Sequence, residues 1–237
     1  MNIFLANKIE EGIAYFSEDE SHHALKVLRL PIATKISFID GLGGRYTGEL
    51  LPASKSLMQA KIESCVVEEK SRAYHLHIAI APTKNMERLE WFLEKSVELG
   101  IDEFSFICCE RSERKVVKEE RIKKVIEAAV KQSLQSRVPK FNSIENFSSF
   151  LGRIKELRAN RFIAHCDTKS GFERVKFNAL SGLNSECIFL IGPEGDFSPS
   201  EISIAMQEGF LGIDLGENRL RTETAGIYIS AALACKN

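Results

Sequence analysis

The stretch Ile191-Gly192-Pro193-Glu194-Gly195-Asp196-Phe197-Ser198 decides the fold prediction. It follows the apolar run Cys187–Ile191, which predicts a buried strand, and it precedes a helix start at Ser198-Pro199-Ser200-Glu201, a capping box with an early proline. An ordinary strand-to-helix turn explains one glycine or proline. Three such residues within Gly192–Gly195 favour a turn that binds a ligand at the carboxyl end of the strand.

A second turn of similar character spans residues 215–226, Leu215-Gly216-Glu217-Asn218-Arg219-Leu220-Arg221-Thr222-Glu223-Thr224-Ala225-Gly226. It follows a predicted short strand, Ile213–Leu215, and leads into a predicted apolar helix, Thr224–Ala234. Helix capping is the simpler explanation for Thr222 taken alone. Because both turns follow strand ends, they together predict one pocket with a backbone-rich wall.

Strands and helices alternate from Tyr74 onward, which predicts an α/β domain with a parallel sheet covered on both faces. The only tryptophan, Trp91, lies in one of these helices and is expected in the core. The further predicted elements are the strands Leu76–Ala81, Phe104–Cys108 and Phe162–Cys166 and the helices Met86–Leu99 and 122–133.

The amino-terminal part, residues 1–71, has a different texture, with short alternating apolar segments separated by turn signals. The clearest signal is Asp40-Gly41-Leu42-Gly43-Gly44, which is typical of a hairpin. One helix is predicted within it at Ser17–Leu28. We therefore predict a β-barrel-like domain over residues 1–71 and an α/β domain over residues 72–237.

Composition places the chain among globular proteins, because 44% of its 237 residues are hydrophobic and 27% are charged. Its 32 basic and 33 acidic residues give a net charge of −1, which argues against a purely electrostatic nucleic-acid binder but allows an enzyme that binds RNA with one face. No apolar run approaches the length of a membrane span, so no membrane association is expected. The six cysteines form no CxxC pair and the five histidines are not placed for a zinc site, which predicts reduced thiols, a cytoplasmic location and no metal.

Several common ligand motifs are missing from the sequence. The first strand of the α/β part leads into Ala81-Pro82-Thr83-Lys84 rather than GxGxxG, and neither a phosphate-binding GxxxxGK[ST] nor a GxSxG motif occurs. The ligand is therefore expected to bind late in the chain, unlike in the ordinary dinucleotide-binding order.

The paired carboxyl-terminal motifs resemble the SPOUT methyltransferases, and most closely the 16S rRNA (uracil-N3)-methyltransferase family of the small ribosomal subunit. The motifs are Gly192–Gly195, Leu215-Gly216 and Leu220–Ala225. His22-His23, Val27-Leu28-Arg29 and Tyr46 beside the Asp40-Gly41 turn resemble the RNA-binding module of that family. The resemblance covers nearly the whole chain.

The resemblance implies a PUA-like β-barrel followed by an α/β domain whose carboxyl-terminal segment forms a trefoil knot. It implies a homodimer that uses S-adenosylmethionine to methylate N3 of a specific uridine in 16S rRNA of the small ribosomal subunit. The cofactor-binding residues that it implies are Leu190, Ile191, Gly192, Pro193, Glu194, Gly195, Leu215, Gly216, Leu220, Thr222, Thr224 and Ala225.

Roles in catalysis follow from the chemistry of uracil N3, which becomes nucleophilic when it loses its proton. Arg221 and Arg137 are candidates to stabilise the charge that develops on the uracil oxygens, with Glu223 or Glu194 as an orienting or proton-accepting group. A surface salt bridge is an equally good explanation for Arg137. The candidate RNA-binding residues are His22, His23, Lys26, Arg29, Arg45 and Arg111. The alternative is a helix cap or a hairpin packing site for the two histidines and a solvated charged face for the basic residues.

The chain departs from the family pattern in both turns. Asp196 stands where the pattern has a glycine, and Glu217-Asn218-Arg219 stands where Pro-Arg-Ile is common. Two other functions therefore remain open. One is a SPOUT methyltransferase that acts on a ribose 2′-oxygen or a guanine, and the other is a non-catalytic RNA-binding adaptor with a degenerate pocket.

Overall fold

The computed structural model describes residues 2–52, 57–70, 72–167, 171–180, 183 and 185–235. The chain divides into two compact units, one of Met1–Ser71 with Glu127–Val138 and one of Arg72–Ile126 with Pro139–Asn237. Glu127–Val138, which the sequence analysis assigned to the second domain, therefore groups with the first unit. The domain limits 1–71 and 72–237 stay a proposal.

The first unit is a closed five-stranded barrel, as predicted, with the strand order β1-β2-β5-β4-β3. The first and third strands pair in parallel and close the barrel, while the other neighbours are antiparallel. Aromatic side chains fill its interior, where the Phe16 ring meets the edges of Phe4 and Phe38. The strands are β1 (Ile3–Glu10), β2 (Ile13–Phe16), β3 (Lys35–Ile39), β4 (Gly44–Leu50) and β5 (Gln59–Val67).

The helix predicted at Ser17–Leu28 consists of two pieces. The helix α1 (Glu18–His22) begins at Ser17, whose side chain accepts a hydrogen bond from the amide of Glu20. A π-helical turn, His23–Val27, follows directly. The wider π-helical turn changes the spacing along this segment, which a simple helical periodicity does not anticipate.

The segment 127–138 is bonded to the barrel through Arg137 and Glu68. The Arg137 guanidinium donates to the carbonyl oxygens of Leu42 and Glu68. The Glu68 carboxylate accepts from Arg45 Nε at 2.7 Å and from the Ser136 hydroxyl at 2.6 Å. These bonds are the physical reason that this segment groups with the first unit.

The second unit contains a seven-stranded parallel sheet with the order β10-β12-β9-β11-β6-β7-β8, which confirms the predicted α/β class. Its strands are β6 (His75–Ile80), β7 (Glu103–Cys108), β8 (Lys140–Asn146), β9 (Ala159–Ala164), β10 (Val175–Lys176), β11 (Glu186–Ile191) and β12 (Leu211–Asp214).

Helices pack against this sheet. The Phe92 ring of the second helix packs on Phe104 of β7. Ile107 of the same strand belongs to a core with Phe150 and Ile202 of two other helices. None of the described helices has both the length and the apolar character needed to cross a membrane. The helices are α2 (Met86–Glu98), α3 (Glu119–Gln132), which continues into the first unit, α4 (Phe147–Ile154), α5 (Pro199–Gln207) and α6 (Thr222–Ala234).

The core placement of Trp91 was wrong, because 47% of the residue is exposed. Its neighbour Phe92 is fully buried in α2. Adjacent helical residues do not face the same way, so burial of Phe92 turns the indole toward solvent.

A polar network lies at the amino ends of β6, β7 and β8, the opposite end of the strands from the two predicted binding turns. His77 is buried, its Nε2 lies 2.8 Å from the Ser105 hydroxyl, and burial lowers the pKa of His77 to about 4. The Glu103 carboxylate accepts from Lys140 Nζ at 3.0 Å and from the Asn142 amide at 2.6 Å. This network joins three neighbouring strands.

Candidate active site

A cavity of about 540 Å³ opens at the carboxyl ends of β9, β11 and β12 in the sheet unit. Both predicted binding turns contribute to its wall, as expected for neighbouring parallel strands. Leu190, Gly195 and Thr224 are not among the residues in the wall. The predicted cofactor residues in the wall are Ile191, Gly192, Pro193, Glu194, Leu215, Gly216, Leu220, Thr222 and Ala225.

The loop after β11, residues 192–197, is held by bonds from several elements. The Asp196 amide donates to the Pro193 carbonyl at 2.9 Å and closes a turn. The Glu194 carboxylate accepts from the Lys84 amide at 2.9 Å, in the segment between β6 and α2. Gly192 packs so closely on the Phe197 ring that a Cβ would lie 3.0 Å from it. This loop is therefore a fixed wall of the cavity.

Arg111, predicted to contact RNA, braces the same loop. Its Nη1 donates to the carbonyl oxygens of Gly195 at 2.9 Å and Phe197 at 3.1 Å. The residue remains exposed, so an additional contact with RNA stays a prediction.

The loop after β12, residues 215–221, is held in a similar way. The Asp214 carboxylate accepts from the Gly216 amide at 3.0 Å, and Gly216 has a φ of 139°, a conformation that favours glycine. Arg219 Nη2 donates to the Glu194 carbonyl at 3.2 Å, which joins the two loops. The cavity wall is thus built from two mutually bonded loops.

The capping explanation for Thr222 was wrong. The N-cap residue, which precedes the first residue of α6, is Arg221, and its side chain makes no capping bond within the described part of the chain. The Thr222 hydroxyl instead donates to the Gly192 carbonyl at 3.0 Å. Thr222 therefore connects the helix to the loop after β11.

The predicted catalytic residues lie in different places. Arg221 is exposed and lines the cavity. Glu223 is buried outside the wall, and its carboxylate lies 3.8 Å from Arg88 Nε. Arg137 belongs to the barrel unit, where its guanidinium bonds the barrel carbonyls described above. Catalytic roles for all three stay predictions.

Sequence reasoning missed the contributions of α2 and of the chain after β9. Arg88 lines the cavity from α2, and Ala164, His165, Cys166 and Arg174 line it from the β9 side. The available signal was the predicted strand Phe162–Cys166, because carboxyl ends of neighbouring parallel strands converge. No such signal marks Arg88, since helix periodicity does not say which turn borders a cavity.

The surroundings of His165 and Cys166 shift the pKa values of both side chains. His165 is buried, no hydrogen bond to either ring nitrogen is present in the structure as described, and burial lowers its pKa. Burial, and then the charge of Asp196, raises the pKa of the Cys166 thiol. Both shifts favour the neutral form of the side chain.

The predicted RNA-binding residues of the barrel unit share an exposed segment around α1. His22, His23, Lys26 and Arg29 are exposed there, and Arg29 has a left-handed φ of 53°. Arg45 is more engaged, because its guanidinium donates to Glu68 and to the Leu134 carbonyl. These positions stay predictions for RNA contact.

Two family models match the chain in sequence order. One, described as an RNA methyltransferase PUA domain, matches residues 16–63, and the other, an RNA methyltransferase domain, matches residues 69–234. The first range lies within the barrel unit, and the second range contains every residue that lines the cavity.

Individual relatives agree with the family models. The Ribosomal RNA small subunit methyltransferase E of Bacillus subtilis is 27% identical over 96% of this chain and 92% of that protein. The crystal structure of a probable rRNA-methyltransferase from Porphyromonas gingivalis is 35% identical, covers 100% of both chains and has a TM-score of 0.88. A Ribosomal RNA small subunit methyltransferase E from Neisseria gonorrhoeae, bound to S-adenosyl methionine, has the same fold at 23% identity, with a TM-score of 0.85 over 100% of this chain and 98% of that one.

Proposed function

This chain belongs to the RNA methyltransferase family whose model matches residues 69–234, and from that premise we propose that it methylates N3 of a specific uridine in 16S rRNA with S-adenosylmethionine as the methyl donor. The relatives named as ribosomal RNA small subunit methyltransferase E support the choice of substrate. The barrel with its match to an RNA methyltransferase PUA domain supports RNA binding.

The observation that carries the proposal is the joining of two loops into one cavity. The loops after β11 and β12 are bonded to each other through Arg219 and Glu194, and through Thr222 and Gly192. The cavity that they enclose has a volume of about 540 Å³, which lies within the range of small-molecule sites.

The residues of the cavity fit S-adenosylmethionine in chemical character. Ile191, Ile213 and Leu220 provide apolar surface for the adenosine part, while the Asp214 carboxylate offsets the positive charge of the cofactor's sulfur. When bound, this cofactor supplies a methyl group on a positively charged sulfur.

Methylation at N3 requires an unpaired uracil, because N3 lies on the edge that forms base pairs. N3 loses its proton and forms the new bond to the methyl carbon as the sulfur–carbon bond breaks, so S-adenosylhomocysteine leaves. Arg221 in the wall stabilises the negative charge that develops on the uracil oxygens. Glu223 is buried behind Arg88, which lines the cavity, and is the candidate to orient the base through Arg88 or to accept the proton. We keep Arg137 as a candidate for the same electrostatic role as Arg221.

The proposed function also implies a location, an oligomeric state and an RNA-binding surface. We expect a cytoplasmic homodimer with a trefoil-knotted carboxyl-terminal segment, as the resemblance implies. Two aromatic residues on these helices are exposed, Tyr228 on α6 (40%) and Trp91 on α2. Their exposure supports a dimer interface formed by α6 and α2. RNA is expected to contact the exposed His22–Arg29 segment of the barrel unit.

The test is transfer of tritium from methyl-labelled S-adenosylmethionine to small ribosomal subunits from cells that lack the endogenous enzyme. Nucleoside analysis of the labelled rRNA identifies the product, and calorimetry measures cofactor binding separately. We expect label in 3-methyluridine and saturable binding of the cofactor.

Two results would overturn parts of the proposal. Label in a 2′-O-methylated nucleoside or a methylguanosine would retain the methyltransferase and reject the uracil N3 substrate. Absence of both label and cofactor binding would favour the non-catalytic adaptor.

A further inference from the structure

Asp196 adopts a left-handed conformation, with a φ of 63°, in the loop after β11. Glycine reaches this region without steric cost, whereas other residues do so rarely unless a short polar side chain finds local partners. Asp196 therefore needs a compensating interaction.

Its carboxylate makes two hydrogen bonds, and each oxygen has a different partner. Oδ1 accepts from the next amide, that of Phe197, at 2.8 Å. Oδ2 accepts from the amide of Cys166 at 2.8 Å, 30 residues away in sequence. The first bond stabilises the turn itself, and the second bond connects the loop to a different segment of the chain.

The second bond connects two walls of the cavity. Cys166 lies two residues beyond the end of β9, which is the neighbour of β11 in the sheet. Asp196 and Cys166 both line the cavity. A charged acceptor bonded to a backbone amide is stronger than a neutral one, so this bond fixes the distance between the walls.

We propose that Asp196 is a positioning residue, whose carboxylate holds the loop after β11 against the chain after β9 and thereby sets the cofactor affinity of the cavity. The inference rests on the proposed function, because it takes S-adenosylmethionine as the ligand. A glycine at position 196 would adopt the same turn but could not make the bond to Cys166.

The test compares Asp196→Gly, Asp196→Asn and the wild type. Asp196→Gly removes the carboxylate while relieving the left-handed strain, so the Kd and KM for S-adenosylmethionine rise by about tenfold, the size expected for losing a charged hydrogen bond, while kcat and the KM for small subunits stay within about twofold. Asp196→Asn retains one acceptor oxygen without the charge, and the Kd rises by only about threefold. Hydrogen exchange of the Cys166 amide becomes faster in Asp196→Gly.

Glu11→Gly is the matched control. Glu11 is exposed, has a left-handed φ of 50° and lies in the turn between β1 and β2 of the barrel unit. The Glu11→Gly substitution relieves the same kind of backbone strain and removes the same charge. The Kd of this variant for S-adenosylmethionine is expected to remain that of the wild type.

The outcomes separate this inference from the proposed function. A wild type that binds S-adenosylmethionine and an Asp196→Gly variant with the same Kd would overturn the positioning role alone. An equal rise in both KM values, or an equal rise in Kd for Asp196→Asn and Asp196→Gly with Cys166 exchange unchanged, would also overturn it. A wild type that neither binds nor methylates would overturn both proposals.

Discussion

The hydroxyl of Thr222 donates a hydrogen bond to the carbonyl oxygen of Gly192 across 3.0 Å, and both residues are buried. The bond joins the first residue of α6 to the loop after β11. Because a buried carbonyl without a partner is costly, this contact fixes the helix and the loop in one arrangement. The cavity wall depends on it.

Thr222→Val tests this contact, because valine keeps the shape of threonine and removes the hydroxyl. The free energy of unfolding should fall by about 1–2 kcal/mol, the usual cost of leaving a buried acceptor unpaired, and the Kd for S-adenosylmethionine should rise. Thr222→Ser keeps the hydroxyl and serves as the control in denaturant unfolding and calorimetry. If Thr222→Val matches Thr222→Ser in both measurements, the contact has no energetic role.

Two glycines in helices should respond to alanine in opposite ways. A Cβ on Gly226 of α6 would overlap the buried Phe92 ring of α2, whereas a Cβ on Gly152 of α4 would meet nothing within 4 Å. Gly226→Ala should lower the free energy of unfolding by about 1–3 kcal/mol through overpacking. Gly152→Ala should raise it by about 0.5–1 kcal/mol, since alanine favours the helix.

Thermal and denaturant unfolding of both variants measures the difference. The same sign of change for the two substitutions would show that the close approach of α6 to α2 is not what requires Gly226.

His77 should make stability depend on pH in the acid range. Burial lowers its pKa from 6.5 to about 4, with the charge of Glu103 opposing the shift. The unfolded chain therefore binds more protons than the folded chain between these values, so the stabilisation is complete above about pH 6.5 and is lost as the pH falls toward 4. The effect is on the order of 3 kcal/mol.

His77→Gln removes the titrating group and keeps a polar side chain near Ser105. Urea unfolding between pH 4.5 and 7 should give a shallower dependence of stability on pH than in the wild type, whatever the loss at pH 7. Some slope should remain, because burial also lowers the pKa of His165. An unchanged slope would show that His77 does not cause the dependence of stability on pH.

Much of the fold could be predicted because local patterns determine it. The helix beginning at Ser198 was specified by its capping box, and the structure has both bonds of that box. The strand β11 is a nearly continuous apolar run, in which Cys187–Ile191 are all buried. The strand β8 was missed, because its residues are only half-buried or exposed.

The candidate site was predictable only where the chain itself carries the turn. Gly192–Glu194 and Leu215-Gly216 were found because their residue types mark two turns that end neighbouring strands. Arg88 was not found, because its place beside the cavity depends on how α2 packs against α6. Asp196 illustrates the same limit: the sequence placed it in the turn, but its bond to Cys166 depends on the pairing of β9 with β11.

Arg221→Ala should separate charge stabilisation from cofactor binding. Arg221 is exposed in the cavity wall, so under the proposed function its guanidinium is available to the uracil oxygens that gain negative charge. The kcat measured with saturating small subunits should fall by roughly a hundredfold, as for the loss of a group that stabilises a developing oxyanion, while the Kd for S-adenosylmethionine stays within about twofold. Arg221→Lys keeps the charge and should recover part of the rate.

Arg219→Ala is the control from the same loop. Its guanidinium donates to the Glu194 carbonyl, so the substitution loosens the contact between the two loops and should raise the KM for S-adenosylmethionine more than it lowers kcat. The two arginines thus predict opposite kinetic signatures two residues apart. A fall in kcat of the same size for both variants, or an Arg221→Ala variant with the wild-type kcat, would mean that Arg221 does not contact the reacting base, and Glu223 with Arg88 would then be the next pair to test.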